Sequence, residues 1–142
     1  MTLRFKRIHP DAVLPAYAHP SDAGMDVRSV ADIVIPRDGR ALVPTGLVAI
    51  IPPMHEIQVR PRSGLALKHG VTVLNTPGTI DSGYRGEIGV ILANFGDSDF
   101  SVAKGDKVAQ LVFAPVVQPE VVETDTIDET DRGAGGFGST GV

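Results

Sequence analysis

The sequence predicts an all-β protein, a distorted jelly roll or β-barrel with one short helix. Its 142 residues include 16 Gly and 11 Pro, a density that favours short strands and tight turns. The apolar residues fall in brief β-branched runs bounded by turn formers. Only one stretch, Ser63 to His69, reads as helical. About ten short strands with a helical turn or two fit a rolled or closed sheet.

Taken in order, Leu3, Phe5 and Ile8 give a weak alternation at the start. Ile33-Val34-Ile35 runs into the turn former Pro36-Arg37-Asp38-Gly39, followed by Ala41-Leu42-Val43. Leu47 to Ile51 is a further strand, stopped by Pro52-Pro53. Ile57 and Val59 alternate with Glu56 and Arg60, as in a half-buried strand. Ser63 is the expected N-cap of the helix and Gly70 its stop. Val71 to Leu74, Ile88 to Leu92 and Val108 to Val117 are further strands, with a hairpin turn expected at Gly96-Asp97-Ser98-Asp99. No internal repeat is visible.

The chain divides into a β domain, residues 1–120, and an arm, residues 121–142. The arm is acidic from Glu123 to Asp131 and Gly-rich from Gly133 to Gly141, too polar to fold alone. Extended from Val117, it would reach about 80 Å, enough to cross onto another subunit.

Bulk properties exclude several functions. There is no Cys, so disulfides, thiolate nucleophiles and Cys-based metal sites are out. The net charge of −4 argues against a nucleic-acid polymer as partner. Met1 to Lys6 lacks the apolar core of a signal peptide, and the longest apolar runs are too short for a membrane helix. A cytoplasmic protein without membrane association is the expectation. His9, His19, His55 and His69 lack ligand spacing, and no Gly-x-Ser-x-Gly elbow is present.

Five segments carry candidate chemistry. In Gly78-Thr79-Ile80-Asp81-Ser82-Gly83-Tyr84-Arg85-Gly86-Glu87, three Gly permit tight turns and close ligand approach. Asp81 is placed to act as a general base for water, and Tyr84 to lay its ring against a sugar. A polar hairpin tip is the alternative. Pro61-Arg62-Ser63-Gly64 combines donors with free N–H groups at a helix start, which suits an anion; an ordinary Ser cap beside a surface Arg is the alternative. In Gly105-Asp106-Lys107-Val108-Ala109-Gln110-Leu111, Gly-Asp-Lys reads as a turn, and Gln110 as an amide facing a polar ligand or an edge-strand residue. Asp26, within Ala23-Gly24-Met25-Asp26-Val27, is a candidate for a hydrated Mg²⁺ or a solvated loop residue. In Arg132-Gly133-Ala134-Gly135-Gly136-Phe137-Gly138-Ser139-Thr140, backbone and hydroxyl donors suit phosphates, and Phe137 has no local core to join. It either stacks on a base or is a chance residue of a low-complexity tail.

In this order and spacing, the segments closely resemble the five motifs of the trimeric dUTP pyrophosphatases (dUTPases), from Ala23 to Thr140. Arg62-Ser63-Gly64-Leu65-Ala66 and Gly78 to Glu87 are the most specific. The resemblance implies a dUTPase-like β-clip fold and a homotrimer with sites at subunit interfaces. It also implies Mg²⁺-dependent hydrolysis of dUTP to dUMP and pyrophosphate, which keeps uracil out of DNA and supplies dUMP. It implies that Asp81 activates the water and approaches the sugar 3′-OH, while Tyr84 excludes a 2′-OH. Asn75, with the backbone at Thr79, Ile80 and Gly89, would read uracil. Arg62, Ser63, Gly64 and Gln110 would hold phosphates, and Asp26 the Mg²⁺ through water. Arg132, Phe137, Ser139 and Thr140 would arrive on a swapped arm, with Phe137 over the base. Gly89 stands where the family often has a longer side chain, which is expected to loosen that strand.

Two rivals have distinguishing features. A dCTP deaminase of the same fold carries another Ser and an Arg around the position of Gly64, and uses a Glu base. A nucleotide-sensing or interaction module would keep the fold without turnover; the complete set including Asp81 and the arm argues against it.

Overall fold

The structure, a computed structural model, describes residues 1–141; the arm's last residue, Val142, lies outside them. Eleven strands and one helix follow in the order β1 (Arg4–Arg7), β2 (Met25–Arg28), β3 (Ile33–Ile35), β4 (Arg40–Pro44), β5 (Leu47–Ile50), β6 (His55–Arg60), α1 (Ser63–His69), β7 (Val71–Val73), β8 (Gly78–Asp81), β9 (Gly89–Asn94), β10 (Phe100–Val102) and β11 (Lys107–Pro115). They form a four-stranded sheet β2-β11-β6-β8, a three-stranded sheet β4-β9-β7, and two-stranded sheets β1-β5 and β10-β3. Every named pairing is antiparallel.

Alternation aims these strands. In β6, Ile57 and Val59 are buried while Glu56, Gln58 and Arg60 face away. In β2, Met25 and Val27 enter the core, so Asp26 and Arg28 must point to the other side. Val27, Ile35, Val43, Leu47, Ile57, Ile88, Leu92 and Leu111 are fully buried in one apolar cluster. Each such side chain contributes about 1.5–3 kcal/mol relative to an exposed one.

The helix ends as expected: Gly70 takes the left-handed conformation, φ 65°, and returns its N–H to Ala66 C=O. Its start differs. Arg62, not Ser63, is the N-cap, with extended backbone and no side-chain cap bond. The Arg62 carbonyl already accepts the Ala66 N–H at 3.1 Å, which places Ser63 inside the first turn.

Three strands exceed the sequence reading. Met25–Arg28 and Gly78–Asp81 are paired strands rather than loop and hairpin tip, and Phe100–Val102 pairs with β3. The Gly96 to Asp99 turn is not a hairpin, because the strands on either side of it, β9 and β10, join different sheets. Buried Asn94 shapes it, donating to Ile35 C=O and Ser98 C=O and accepting from Gly96 N–H. The last hydrogen bond from the end of the chain to the barrel is Val116 N–H to Met54 C=O, 2.8 Å.

Candidate functional site

A cavity of about 160 Å³ opens between β8, the following turn and the start of β9. It is lined by Val59, Asn75, Gly78, Thr79, Ile80, Asp81, Tyr84, Glu87, Ile88 and Gly89. The structure thus gathers Asn75, Thr79, Ile80, Asp81, Tyr84 and Gly89 of the sequence-selected residues. β8 owes its position to β6, with Gly78 opposite Val59 and Asp81 opposite Glu56.

The turn after β8 is tied by its own side chains. Tyr84 N–H donates to Asp81 C=O at 3.1 Å, and Arg85 donates to Ser82 C=O and Tyr84 C=O at 2.7 and 2.9 Å. The Tyr84 hydroxyl donates to Glu87 C=O at 3.0 Å. That bond lays the phenol ring across Gly86, where a Cβ would come within 2.5 Å of the ring Cζ. Gly86 is therefore a space requirement of Tyr84. The Asp81 carboxylate is exposed and has no ion-pair partner among the described residues, which leaves it free to hold a water. Gly89 is compensated from β4: Leu42 lies over it, with Cδ1 2.6 Å from where a Cβ would stand. The space is filled by a neighbour, and β9 keeps its ladder with β4 from Gly89 to Ala93, contrary to the expected loosening.

A second cluster lies on the same sheet. Asp26 on β2 sits opposite Gln110 on β11. Its carboxylate pairs with Lys107 Nζ at 2.7 Å and Arg62 Nε at 3.4 Å. Gln110 Nε2 donates to Pro61 C=O at 2.9 Å, anchoring the turn that carries Arg62. Ser63 and Gly64 are exposed beside it. Lys107 was missed as a site residue, since Gly-Asp-Lys reads as a turn. Its signal was the strand that follows, which places it beside β2.

The two clusters do not meet within one chain. Gln110 is level with Arg60, and Asp81 with Glu56. Four residues along β6 and two strand spacings across separate Asp81 from Gln110 by roughly 16 Å. None of Arg62, Ser63, Gly64, Gln110 or Asp26 lines the nucleoside-sized cavity. The arm joins neither cluster. Arg132 Nε donates to Gly135 C=O, Ser139 N–H to Gly136 C=O, Phe137 is fully exposed and Thr140 is exposed.

Among the described residues no His, Asp or Glu cluster could cage a metal. One carboxylate already flanked by two cations fits only an ion that keeps its waters and is carried mainly by substrate phosphates. Among the described residues no helix is long and apolar enough to cross a membrane.

Comparison with known proteins adds an independent line. The family model described as dUTPase matches residues 11–141. The chain is 54% identical over 142 residues to the deoxyuridine 5'-triphosphate nucleotidohydrolase of Gloeothece citriformis, covering 100% of this chain and 98% of that one. It is 56% identical over 140 residues to the enzyme of the same name from Clostridium tetani, covering 99% and 97%. Among solved structures, the dUTPase of Staphylococcus bacteriophage 80alpha with dUpNHpp superposes with a TM-score of 0.92, at 27% identity and 99% coverage of both chains.

Proposed function

Because the chain belongs to the dUTPase family and is a dUTP nucleotidohydrolase, we propose that it splits dUTP into dUMP and pyrophosphate at a site completed by other copies of the chain. One observation carries the shared site. Asp81, which lines the cavity, and Gln110, in the cluster with Arg62 and Lys107, lie on one sheet roughly 16 Å apart, farther than a triphosphate spans. A closed assembly brings one copy's cavity to another's cationic cluster, and a homotrimer is the form proposed. The exposed Val121, Ile127 and Phe137 of an arm whose described residues make no hydrogen bond to the barrel support a segment that orders on a neighbour.

In the cavity, Asn75 and the backbone at Thr79, Ile80 and Gly89 offer hydrogen-bonding edges to uracil, and the Tyr84 ring closes the sugar side against a 2′-OH. Asp81 is on the strand lining this cavity, so the phosphate next to the sugar is the one within its reach. Its carboxylate takes a proton from water as the water oxygen joins the α-phosphorus. The α–β bridge breaks and pyrophosphate leaves with the bridging oxygen. Arg62, Ser63, Gly64 and Gln110 of a neighbouring copy hold the departing phosphates. Arg132, Ser139 and Thr140 add donors from the arm, and Phe137 covers the base and excludes water. Asp26 would hold Mg²⁺ through water, and the ion supplies charge neutralisation along the phosphates. For an acidic chain handling a tetra-anion, that help is needed.

Pyrophosphate release from dUTP, UTP, dTTP and dCTP tests this reading. Rapid release from dUTP alone is expected. Comparable release from UTP would remove Tyr84 from sugar selection, and a monomer by sedimentation under active conditions would remove the shared site.

A further inference from the structure

The loop Thr45-Gly46-Leu47 has no place in the chemistry above, yet it grips the cavity wall. Thr45 is 0% exposed. Its hydroxyl donates to Ile88 C=O at 2.6 Å and accepts from Leu47 N–H at 3.3 Å. Ile88 N–H donates to Leu47 C=O at 2.8 Å. Both main-chain groups of Ile88 are thus held by residues 45 and 47. One residue earlier, the Glu87 carboxylate accepts Gly46 N–H at 2.8 Å. Gly46 presents that N–H at φ 68°, and a Cβ there would come within 2.6 Å of His9 Cβ. The loop is itself anchored, with Gly46 C=O accepting Ile8 N–H at 2.8 Å.

What this grip fixes is the span between two parts of the cavity. On one side stands Glu87 C=O, the acceptor that orients the Tyr84 phenol. On the other stands Gly89, which opens β9 opposite Pro44. We propose that Thr45 and Glu87 are positioning residues that set nucleotide selectivity, by holding the sugar stop and the base-reading edge at a fixed separation. The proposal rests on the roles given above to Tyr84 and Gly89. Neither residue needs to touch the reacting atoms. A loosened Ile88 lets the Tyr84 ring and the Gly89 backbone drift independently, so rejection of a 2′-OH and of bases other than uracil weakens together. A residue that acted only on stability would lower the unfolding temperature and slow all nucleotides in proportion.

The test compares kcat/KM for dUTP, UTP and dTTP in the full-length assembly. Thr45→Val keeps the shape and removes the hydroxyl; Thr45→Ser restores it. Glu87→Ala removes the acceptor, and Glu87→Gln retains one. Loss of one such bond predicts a fall of about fivefold to tenfold in both the dUTP/UTP and dUTP/dTTP ratios for Thr45→Val and Glu87→Ala. Recovery is expected in Thr45→Ser and Glu87→Gln. If burial makes Thr45→Val unfold, the Glu87 pair, on an exposed side chain, carries the comparison alone. Unchanged ratios in Glu87→Ala, or equal loss in Glu87→Gln, overturn the proposal. Tyr84→Ala separates the two levels. If it leaves dUTP/UTP intact, the sugar-stop reading of Tyr84 has failed. If it lowers that ratio while Glu87→Ala does not, the clamp has failed and the reading of Tyr84 stands.

Discussion

Gly86→Ala should damage selectivity while leaving the fold almost unchanged. The added Cβ would lie 2.5 Å from Tyr84 Cζ and 2.9 Å from Cε2, distances that real Cβ contacts do not occupy, so the ring must leave its place. It can do so easily, because Tyr84 is 47% exposed and has solvent on its far side. The loss on the stability side is the hydroxyl bond to Glu87 C=O, about 0.5–1.5 kcal/mol at most, since water replaces it at an exposed carbonyl. Replacing Gly by Ala also restricts the unfolded chain, a gain of about 0.4–1 kcal/mol. The net is roughly 0–1 kcal/mol, a midpoint shift within about 4 °C by calorimetry. The functional loss is larger. Steric rejection of one hydroxyl corresponds to about 1–3 kcal/mol, so dUTP/UTP discrimination should fall roughly 10- to 100-fold. Pyrophosphate-release kinetics on both nucleotides measure it. Because the effect passes through the ring, Gly86→Ala should add nothing in a Tyr84→Ala background. Retained discrimination in the single variant, or additive losses in the double variant, would refute the steric argument.

The other expectations are more direct. Asp81→Asn should bind a non-hydrolysable nucleotide normally by calorimetry while turnover drops about 10²- to 10⁴-fold, the worth of a positioned base; near-normal turnover would remove Asp81 from that role. Deleting residues from Arg132 onward should leave an assembled, folded protein by sedimentation and circular dichroism, but with poor activity, because the arm's described residues make no hydrogen bond to the barrel. Met54→Gly should raise stability by about 0.5–1 kcal/mol in denaturant titration, since Met54 occupies φ 60°, where a side chain is strained.

Much of this was legible in the sequence because the relevant signals are local. The alternation through Ile57 and Val59 sets the buried face of β6, and Gly70 stops the helix by backbone geometry alone. The Gly78 to Glu87 run stood out because Gly, Asp and Tyr interleave with β-branched residues in a way a plain turn does not require. What escaped depended on partners distant in sequence. Gly78–Asp81 has its strand formers Thr79 and Ile80 bracketed by Gly and Asp, and becomes a strand because β6 lies beside it. Lys107 becomes a partner of Asp26, 81 positions away, only when β11 pairs with β2. Thr45 is silent in sequence, since its role is a hydroxyl bond to the main chain of Ile88.

The common spine of both clusters is β6. One edge pairs with β8, which lines the cavity; the other pairs with β11, which carries Gln110 and Lys107. Its inward residues Ile57 and Val59 belong to the core, so β6 cannot slide by one position without turning those side chains to solvent. The core therefore fixes the separation between Asp81 and Gln110 within each chain at roughly 16 Å. The proposed way to bring both to one substrate is a neighbouring copy and an arm that crosses over. In that proposed arrangement each chain would keep its two half-sites rigid, and substrate binding would order the arm without disturbing β6. The Gly-rich composition of residues 133–141 suits this proposal, because such a segment is flexible enough to order on a neighbour.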